Sequence, residues 1–286
     1  MSHVLITGTS GFIGRQLAAS LSKTHEVVCL SRQATALTGV TAYEGDFTVP
    51  EVLRQLDSHP IDVIIHLAAV TGGCTEEDGL RVNVLGTHGL LRYGIARGVK
   101  KFVLASSIAA VGFQSVKFRP LRVPIPDDHP CLDRDGYGVS KYLMEEMTHY
   151  LSRQNETLDF INIRLASIAP DDTTPTLRKA GPLTEWSLGG LSVMFASDAV
   201  RCFTMAAEAP LKPGVRTMNA VGDSACAADP IPDILQAWYG PDAGGLDLSH
   251  YERPGHAFDP VYDIELIARE IGFRPERRVG SGHGSA

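Results

Sequence analysis

The stretch Ile6-Thr7-Gly8-Thr9-Ser10-Gly11-Phe12-Ile13-Gly14 places three glycines three apart, directly behind an apolar run. His3 to Thr7 reads as a buried strand, and Phe12 to Lys23 as a helix with Ile13, Leu17, Ala18 and Leu21 on one face. A strand ending at Thr7-Gly8 and a helix opening near Gly11 bring backbone N–H groups and the positive end of the helix dipole to one point, which suits a pyrophosphate. Gly8 permits the tight turn, Gly11 lets phosphates approach the backbone, and Gly14 allows the helix to pack closely on the sheet. A strand–helix turn with no ligand is the alternative that the glycines alone leave open.

Working outward, apolar strands alternate with helical periods. Glu26–Ser31, Thr41–Glu44, Asp62–Leu67, Lys101–Ser106 and Leu158–Ile163 read as strands, and Gly79–Arg97 and Tyr137–Leu151 as helices. Strands rich in Val, Ile and Leu, separated by helices, predict an α/β fold: a doubly wound parallel sheet of Rossmann type, with ligands beyond the carboxyl ends of its strands. Residues 1–165 are expected to form the dinucleotide-binding domain. Residues 166–278 are expected to supply a small C-terminal substrate-binding lid interleaved with the core, with helices at Asp198–Glu208 and Val261–Ile271 and a loop over Pro241–Gly255. Residues 279–286 (VGSGHGSA) read as a disordered tail.

Bulk properties narrow the function classes. Among 286 residues, 44% are apolar and 21% charged, and the formal net charge of −7 offers no basic footprint for nucleic acid. No apolar run approaches the roughly 20 residues that cross a bilayer, so no membrane association is expected. Cys29, Cys74, Cys131, Cys202 and Cys226 are odd in number, lie far apart and form no C-x-x-C pair, which points to a reducing compartment. The first strand begins at His3 and leaves no room for a signal peptide, so a cytoplasmic protein is expected. The ten histidines do not cluster at ligand spacing, and no metal is expected.

A second motif lies far down the chain, at Tyr137-Gly138-Val139-Ser140-Lys141. Tyr and Lys four apart on a helix share one face, and an ammonium beside a phenol stabilises the phenolate. Such a tyrosine accepts a proton from a substrate hydroxyl as hydride leaves, or donates one in reverse.

Together these motifs resemble the short-chain dehydrogenase/reductase superfamily in its extended, epimerase/dehydratase branch. Thr7-Gly8-x-x-Gly11-Phe12-Ile13-Gly14 is similar to the cofactor loop, with Ser10 inside it, and Gly45-Asp46-Phe47 to the adenine-contacting turn. His66-Leu67-Ala68-Ala69 is similar to the strand end beside the cofactor, where His66 is read as a core histidine. Asn83 stands at the place of a helix-bending asparagine. The resemblance implies cofactor contacts at Gly8, Ser10, Gly11, Phe12, Ile13, Gly14, Ser31, Arg32, Asp46, Phe47, Leu67, Ala68, Ala69, Asn83, Lys141, Leu165 and Ile168. It further implies that Lys141 bonds the nicotinamide ribose and that Ser107, counted back from Gly112 in Ser106-Ser107-Ile108-Ala109-Ala110-Val111-Gly112, holds the substrate oxygen for Tyr137.

The second strand ends Ser31-Arg32-Gln33, with no carboxylate to bond the adenosine ribose and an arginine that can pair with a phosphate, which favours NADP over NAD. The Asp-Glu pair of the family's 4,6-dehydratases is replaced by Ile108-Ala109, which disfavours elimination. Little more than 120 residues follow Arg164, and Arg164-Leu165-Ala166-Ser167-Ile168-Ala169 departs from the family's R-P-x-N-x-Y-G. These features favour a small sugar-like, uronate-like or polyol-like substrate, with Thr71, Ser107 and Arg178 as candidate contacts, Arg178 for a carboxylate. The alternatives are a nucleotide-sugar 4-epimerase with tightly bound NAD and a non-catalytic NADP-sensing regulator. By family analogy, the helices at 79–97 and 137–151 pair across a twofold axis in a homodimer.

Overall fold

The computed structural model describes residues 1–34 and 36–279. Nine strands are present among them: β1 (His3–Thr7), β2 (Glu26–Ser31), β3 (Val40–Glu44), β4 (Val63–His66), β5 (Lys101–Ser107), β6 (Asp159–Leu165), β7 (Ser167–Ala169), β8 (Val193–Phe195) and β9 (Gly214–Ala220). Seven of these form one sheet in the order β3-β2-β1-β4-β5-β6-β9, and the pairings from β3 through β5 are parallel. The central strands are continuous apolar runs because helices cover both faces, whereas β3 stays largely exposed at the edge. Strand order reverses at β1, where Thr7 is flanked by Leu30 on β2 and His66 on β4. A doubly wound sheet opens its ligand crevice at that switch point, beyond the carboxyl ends.

The chain forms two compact units, each built from three segments. The first comprises Met1–Ser106, Asp135–Ile163 and Val200–Thr217. Its core gathers Leu5, Leu30, Ile64, Leu90, Leu104 and Met144, and the rings of Phe102 and Phe160 stack at 5.1 Å. At its base, Asp159 is fully buried; it accepts from Arg216 at 2.5 Å and from the Lys212 backbone N–H at 3.0 Å.

The second unit comprises Ser107–Arg134, Arg164–Ala199 and Met218–Ala286. Within it β7 and β8 pair in parallel, and Val193, Phe195 and Cys226 pack with Val279. Val279, the first residue of the expected tail, is thus buried, and residues 280–286 lie outside the described residues. Arg119 lies 4.7 Å over the ring of Tyr239 on the helix Ile231–Tyr239.

Several elements differ from the sequence expectation. The helix expected over Val261–Ile271 begins only at Glu265, because Val261 and Tyr262 are drawn into an extended pairing with Ile125, whose N–H donates to the Val261 carbonyl at 2.8 Å. Burying those two side chains outweighs their helical spacing. The expected helix 79–97 opens as a wide π-helical segment, Gly79–Gly86, and becomes α-helical at Thr87–Ala96. The expected loop 241–255 contains short helical turns at Gly240–Gly245 and Ser249–Glu252. Strand β9 and the helix Ile231–Tyr239 were not expected at all. Among the described residues no helix is long and apolar enough to cross a membrane.

The Asp159–Arg216 pair yields a stability prediction. Asp159→Ala leaves a buried guanidinium without its carboxylate and is expected to cost about 3–5 kcal/mol, read from urea unfolding midpoints. A loss below 1 kcal/mol would show that the pair adds little to the fold.

Candidate active site

The first unit carries the glycine turn. Gly8 donates to Leu30 O at 2.9 Å and Gly11 to Gly8 O at 3.0 Å, while Leu67 donates to Thr7 O at 3.2 Å. Gly8 has φ +79°, and a Cβ there would lie 2.7 Å from Ala68 N. A Cβ on Gly14 would overlap the Gly8 carbonyl, so the close approach of helix to turn needs glycine. The helix Phe12–Leu21 begins without a side-chain cap or an acidic residue in its first turn, and Ser10, Gly11 and Phe12 are exposed. Its leading N–H groups therefore face outward with no carboxylate to answer them, the donor set an anion requires.

Around this turn the neighbouring strand ends are braced. Thr9 and Ser31 share a hydrogen bond at 3.3 Å, Ser31 Oγ donates to Gln33 O at 2.8 Å, and Arg32 is exposed. Asp46 is half-buried and accepts from Thr48 N at 2.9 Å; Leu67, Ala68 and Ala69 are half-buried, and Thr71 is exposed. The Phe47 ring is buried, edge-on to His66 at 4.8 Å, so its side chain belongs to the core. His66 is buried between two hydroxyls, with Nδ1 2.6 Å from Thr7 Oγ1 and Nε2 2.9 Å from Thr87 Oγ1. Burial, and secondarily the charge of Lys141, push its pKa down to about 3, so the ring is neutral. It serves as a core brace between β1, β4 and the helix Thr87–Ala96.

Asn83 has a comparable bracing role. Its carbonyl oxygen accepts from Val70 N at 2.9 Å, and its amide donates to Val70 O at 3.0 Å and to Ser140 Oγ at 2.9 Å. Both amide hydrogens are committed to the protein, and the contact ties the segment after β4 to the helix Gly136–Gln154.

That helix is started by Asp135, which accepts from Tyr137 N at 2.9 Å and Gly138 N at 3.0 Å. Tyr137 is half-buried, Lys141 buried, and the ammonium lies 5.8 Å from the centre of the tyrosine ring. Lys141 Nζ donates to Ala105 O on β5 at 2.7 Å. Burial lowers its pKa to about 8, against the opposing pull of Glu145 and Cys74.

Ser107, Leu165, Ile168 and Arg178 belong to the second unit. Ser107 is buried at the end of β5 and caps the short turn Ile108–Val111, its Oγ accepting from Ala109 N at 3.1 Å. Leu165 and Ile168 are half-buried. Arg178 is exposed; its backbone pairs with Cys226 and Ala228, and its guanidinium lies against Gly190.

The structure also gathers side chains that the sequence left apart. His250 Nε2 lies 2.9 Å and His256 Nδ1 2.7 Å from Asp259 Oδ2, a spatial grouping that the spacing of the histidines along the sequence does not show. Arg253 contacts His250 Nδ1 at 2.6 Å. A guanidinium can only donate, so in the neutral ring the His250 proton resides on Nε2 and is accepted by Asp259. The cluster is satisfied internally. Two buried residues beside Lys141 were also missed, Ser106 and Glu145, bonded at 2.5 Å; the spacing of Glu145, four residues after Lys141, was the available signal.

A UDP-glucose 4-epimerase of Halalkalibacterium halodurans is 30% identical over 179 residues, covering 59% of this chain and 52% of that protein. A D-erythronate dehydrogenase of Cupriavidus necator is 32% identical over 172 residues, covering 53% and 51%. The chain thus spans about half the length of the curated relatives it matches. A short-chain dehydrogenase/reductase superfamily protein of Agrobacterium tumefaciens, solved with bound NAD, has the same fold at a TM-score of 0.70 and 19% identity, covering 97% of this chain and 93% of that one. Residues 4–220 match the NAD dependent epimerase/dehydratase family, and the chain belongs to that family.

Proposed function

We propose that this protein is a nicotinamide-dinucleotide-dependent oxidoreductase acting on a hydroxyl or carbonyl carbon of a small polyhydroxylated substrate. The observation that carries this reading is the pair on one helical face: a half-buried Tyr137 with a buried Lys141 ammonium 5.8 Å from its ring centre. The glycine turn fits the dinucleotide, because its pyrophosphate would meet the uncapped first turn of the helix Phe12–Leu21 at a place where no Cβ can be accommodated on Gly8 or Gly14. When bound, the nicotinamide supplies or accepts the hydride.

The chain's own groups then move the proton. Lys141 favours the phenolate of Tyr137, which takes the hydroxyl proton during oxidation and returns it during reduction. Ser107 orients the substrate oxygen, and Asn83 holds the helix segment that carries Tyr137. The neighbouring Ser10, Gly11, Phe12 and Ile13 line the cradle, and Asp46, Leu67, Ala68, Ala69, Leu165 and Ile168 are the proposed further contacts. Similarity to a D-erythronate dehydrogenase supports a small polyhydroxy acid, with Arg178 to pair its carboxylate and Thr71 as a further substrate contact.

Two nucleotides fit the cradle. The similar Agrobacterium structure carries NAD. In this chain β2 is followed directly by the exposed Arg32, with no carboxylate at Ser31, Arg32 or Gln33, and that favours NADP. Similarity to UDP-glucose 4-epimerases supports a second reading, in which NAD stays bound and a nucleotide sugar is epimerised without net redox change. Interconversion of UDP-glucose and UDP-galactose with no change in nicotinamide absorbance would select it.

Tyr137→Phe is expected to lower turnover by about 10²–10⁴-fold while nucleotide affinity stays within about threefold, measured by steady-state kinetics and fluorescence titration. A fully active variant would refute the proton-transfer role. Arg32→Ala is expected to weaken NADPH binding about tenfold and leave NADH unchanged, the scale of one charge-assisted contact; equal effects on both would remove Arg32 as the selector. We also propose a homodimer through the faces bearing Leu85 and Tyr150, which are 65% and 42% exposed. Sedimentation at micromolar concentration is expected to give twice the chain mass, and a monomer throughout would contradict it.

A further inference from the structure

Two hydrogen bonds join the end of β5 to the helix Gly136–Gln154 at successive positions. Ala105 O accepts from Lys141 Nζ at 2.7 Å, and the next residue, Ser106, donates its hydroxyl to Glu145 Oε1 at 2.5 Å. Lys141 and Glu145 are 3% and 2% exposed, so both charges are held out of water. Four residues apart on a helix, they lie one turn from each other on the face that begins with Tyr137. The hydroxyl-to-carboxylate bond is short, as charge-assisted O–H···O⁻ bonds are. The residue after Ser106 is Ser107, the proposed holder of the substrate oxygen.

We propose that Glu145 is a positioning residue of this site: the buried counter-ion of Lys141, which also anchors, through Ser106, the strand end that leads into Ser107. The inference rests on the reading of Tyr137 and Lys141 given above and adds to it the group on which their charge state depends.

The physical reason is the cost of a lone buried ammonium. An unpaired charge taken out of water neutralises rather than persists. Burial already lowers the Lys141 pKa to about 8, and of the groups facing it Glu145 opposes that fall most, ahead of Cys74. His66, on the adjoining strand, is neutral and lends no negative charge. Cys74 has its own pKa raised, by burial first and by Asp135 next, so near neutral pH it stays a thiol and contributes no charge either. Glu145 is therefore the carboxylate whose negative charge favours the Lys141 ammonium against burial, beside the Tyr137 ring 5.8 Å away. The sign follows directly: removing the negative charge lowers the Lys141 pKa, and activity that needs the ammonium is lost at lower pH as pH rises.

Glu145→Gln keeps the shape and can still accept the Ser106 hydroxyl, so it removes only the charge. With ¹³C-labelled lysine in the full-length protein, and Lys141→Met to assign its resonance, the Lys141 titration is expected to move down by about one pH unit or more in Glu145→Gln. In Glu145→Asp it is expected to stay within about half a unit of the native protein, by the same charge argument. The alkaline limb of the pH–rate profile should move in parallel. An unchanged Lys141 titration in Glu145→Gln overturns the proposal. Should that variant fail to fold, thermal melts of Lys141→Met and of Lys141→Met/Glu145→Gln decide: counter-ions require the double variant to melt at or above the single one, and a lower melt overturns the pairing. Because the titration needs no turnover, a protein that titrates as stated and catalyses nothing counts against the oxidoreductase reading and leaves the role of Glu145 standing.

Discussion

The site-bearing unit is organised around a buried ammonium. Lys141 is 3% exposed; a backbone carbonyl from β5 accepts from its Nζ, and Glu145, its proposed counter-ion, follows one helical turn on. That bond ties the helix Gly136–Gln154 to β5, and Tyr137 lies one turn before Lys141 on the same face. Neutral His66 fits the same logic, since a second cation in that space would have no partner. Asp135 and Asn83 complete the arrangement, one capping the helix and the other tying it to the segment after β4.

The glycine turn is built on the opposite principle. Its chemistry lies in backbone N–H groups rather than side chains, and its specificity comes from excluding Cβ atoms where β1 meets β4. A site of this kind accepts an anion without placing a fixed positive charge, and on the reading proposed above the selection among dinucleotides falls to Arg32, just beyond the next strand end.

Legibility in the sequence followed the range of the interaction. The turn Gly8–Gly14 and the pair Tyr137/Lys141 are short-range spacings, and so are the apolar runs of β1, β2, β4 and β5; each could be read from neighbours alone. Glu145 was equally legible, four residues past Lys141, yet its meaning depends on Ser106, which only the fold brings near. Val261 and Tyr262 carry helical spacing, but their pairing with Ile125 is long-range and overrides it. Strand β9 was hidden because Arg216, Thr217 and Asn219 break its apolar run, although Arg216 and Asn219 are buried by partners elsewhere in the chain. His250, His256 and Asp259 lack a metal-ligand spacing and meet only because tight turns fold that segment back on itself.

The central claim is that the backbone cradle at Gly8–Gly14 holds a nicotinamide dinucleotide. The most direct measurement releases any nucleotide that copurifies, identifies it, and titrates the emptied protein with NADPH and NADH by nicotinamide fluorescence. The account predicts saturable binding of one dinucleotide per chain. No binding of either nucleotide, with none released from the purified protein, would contradict it.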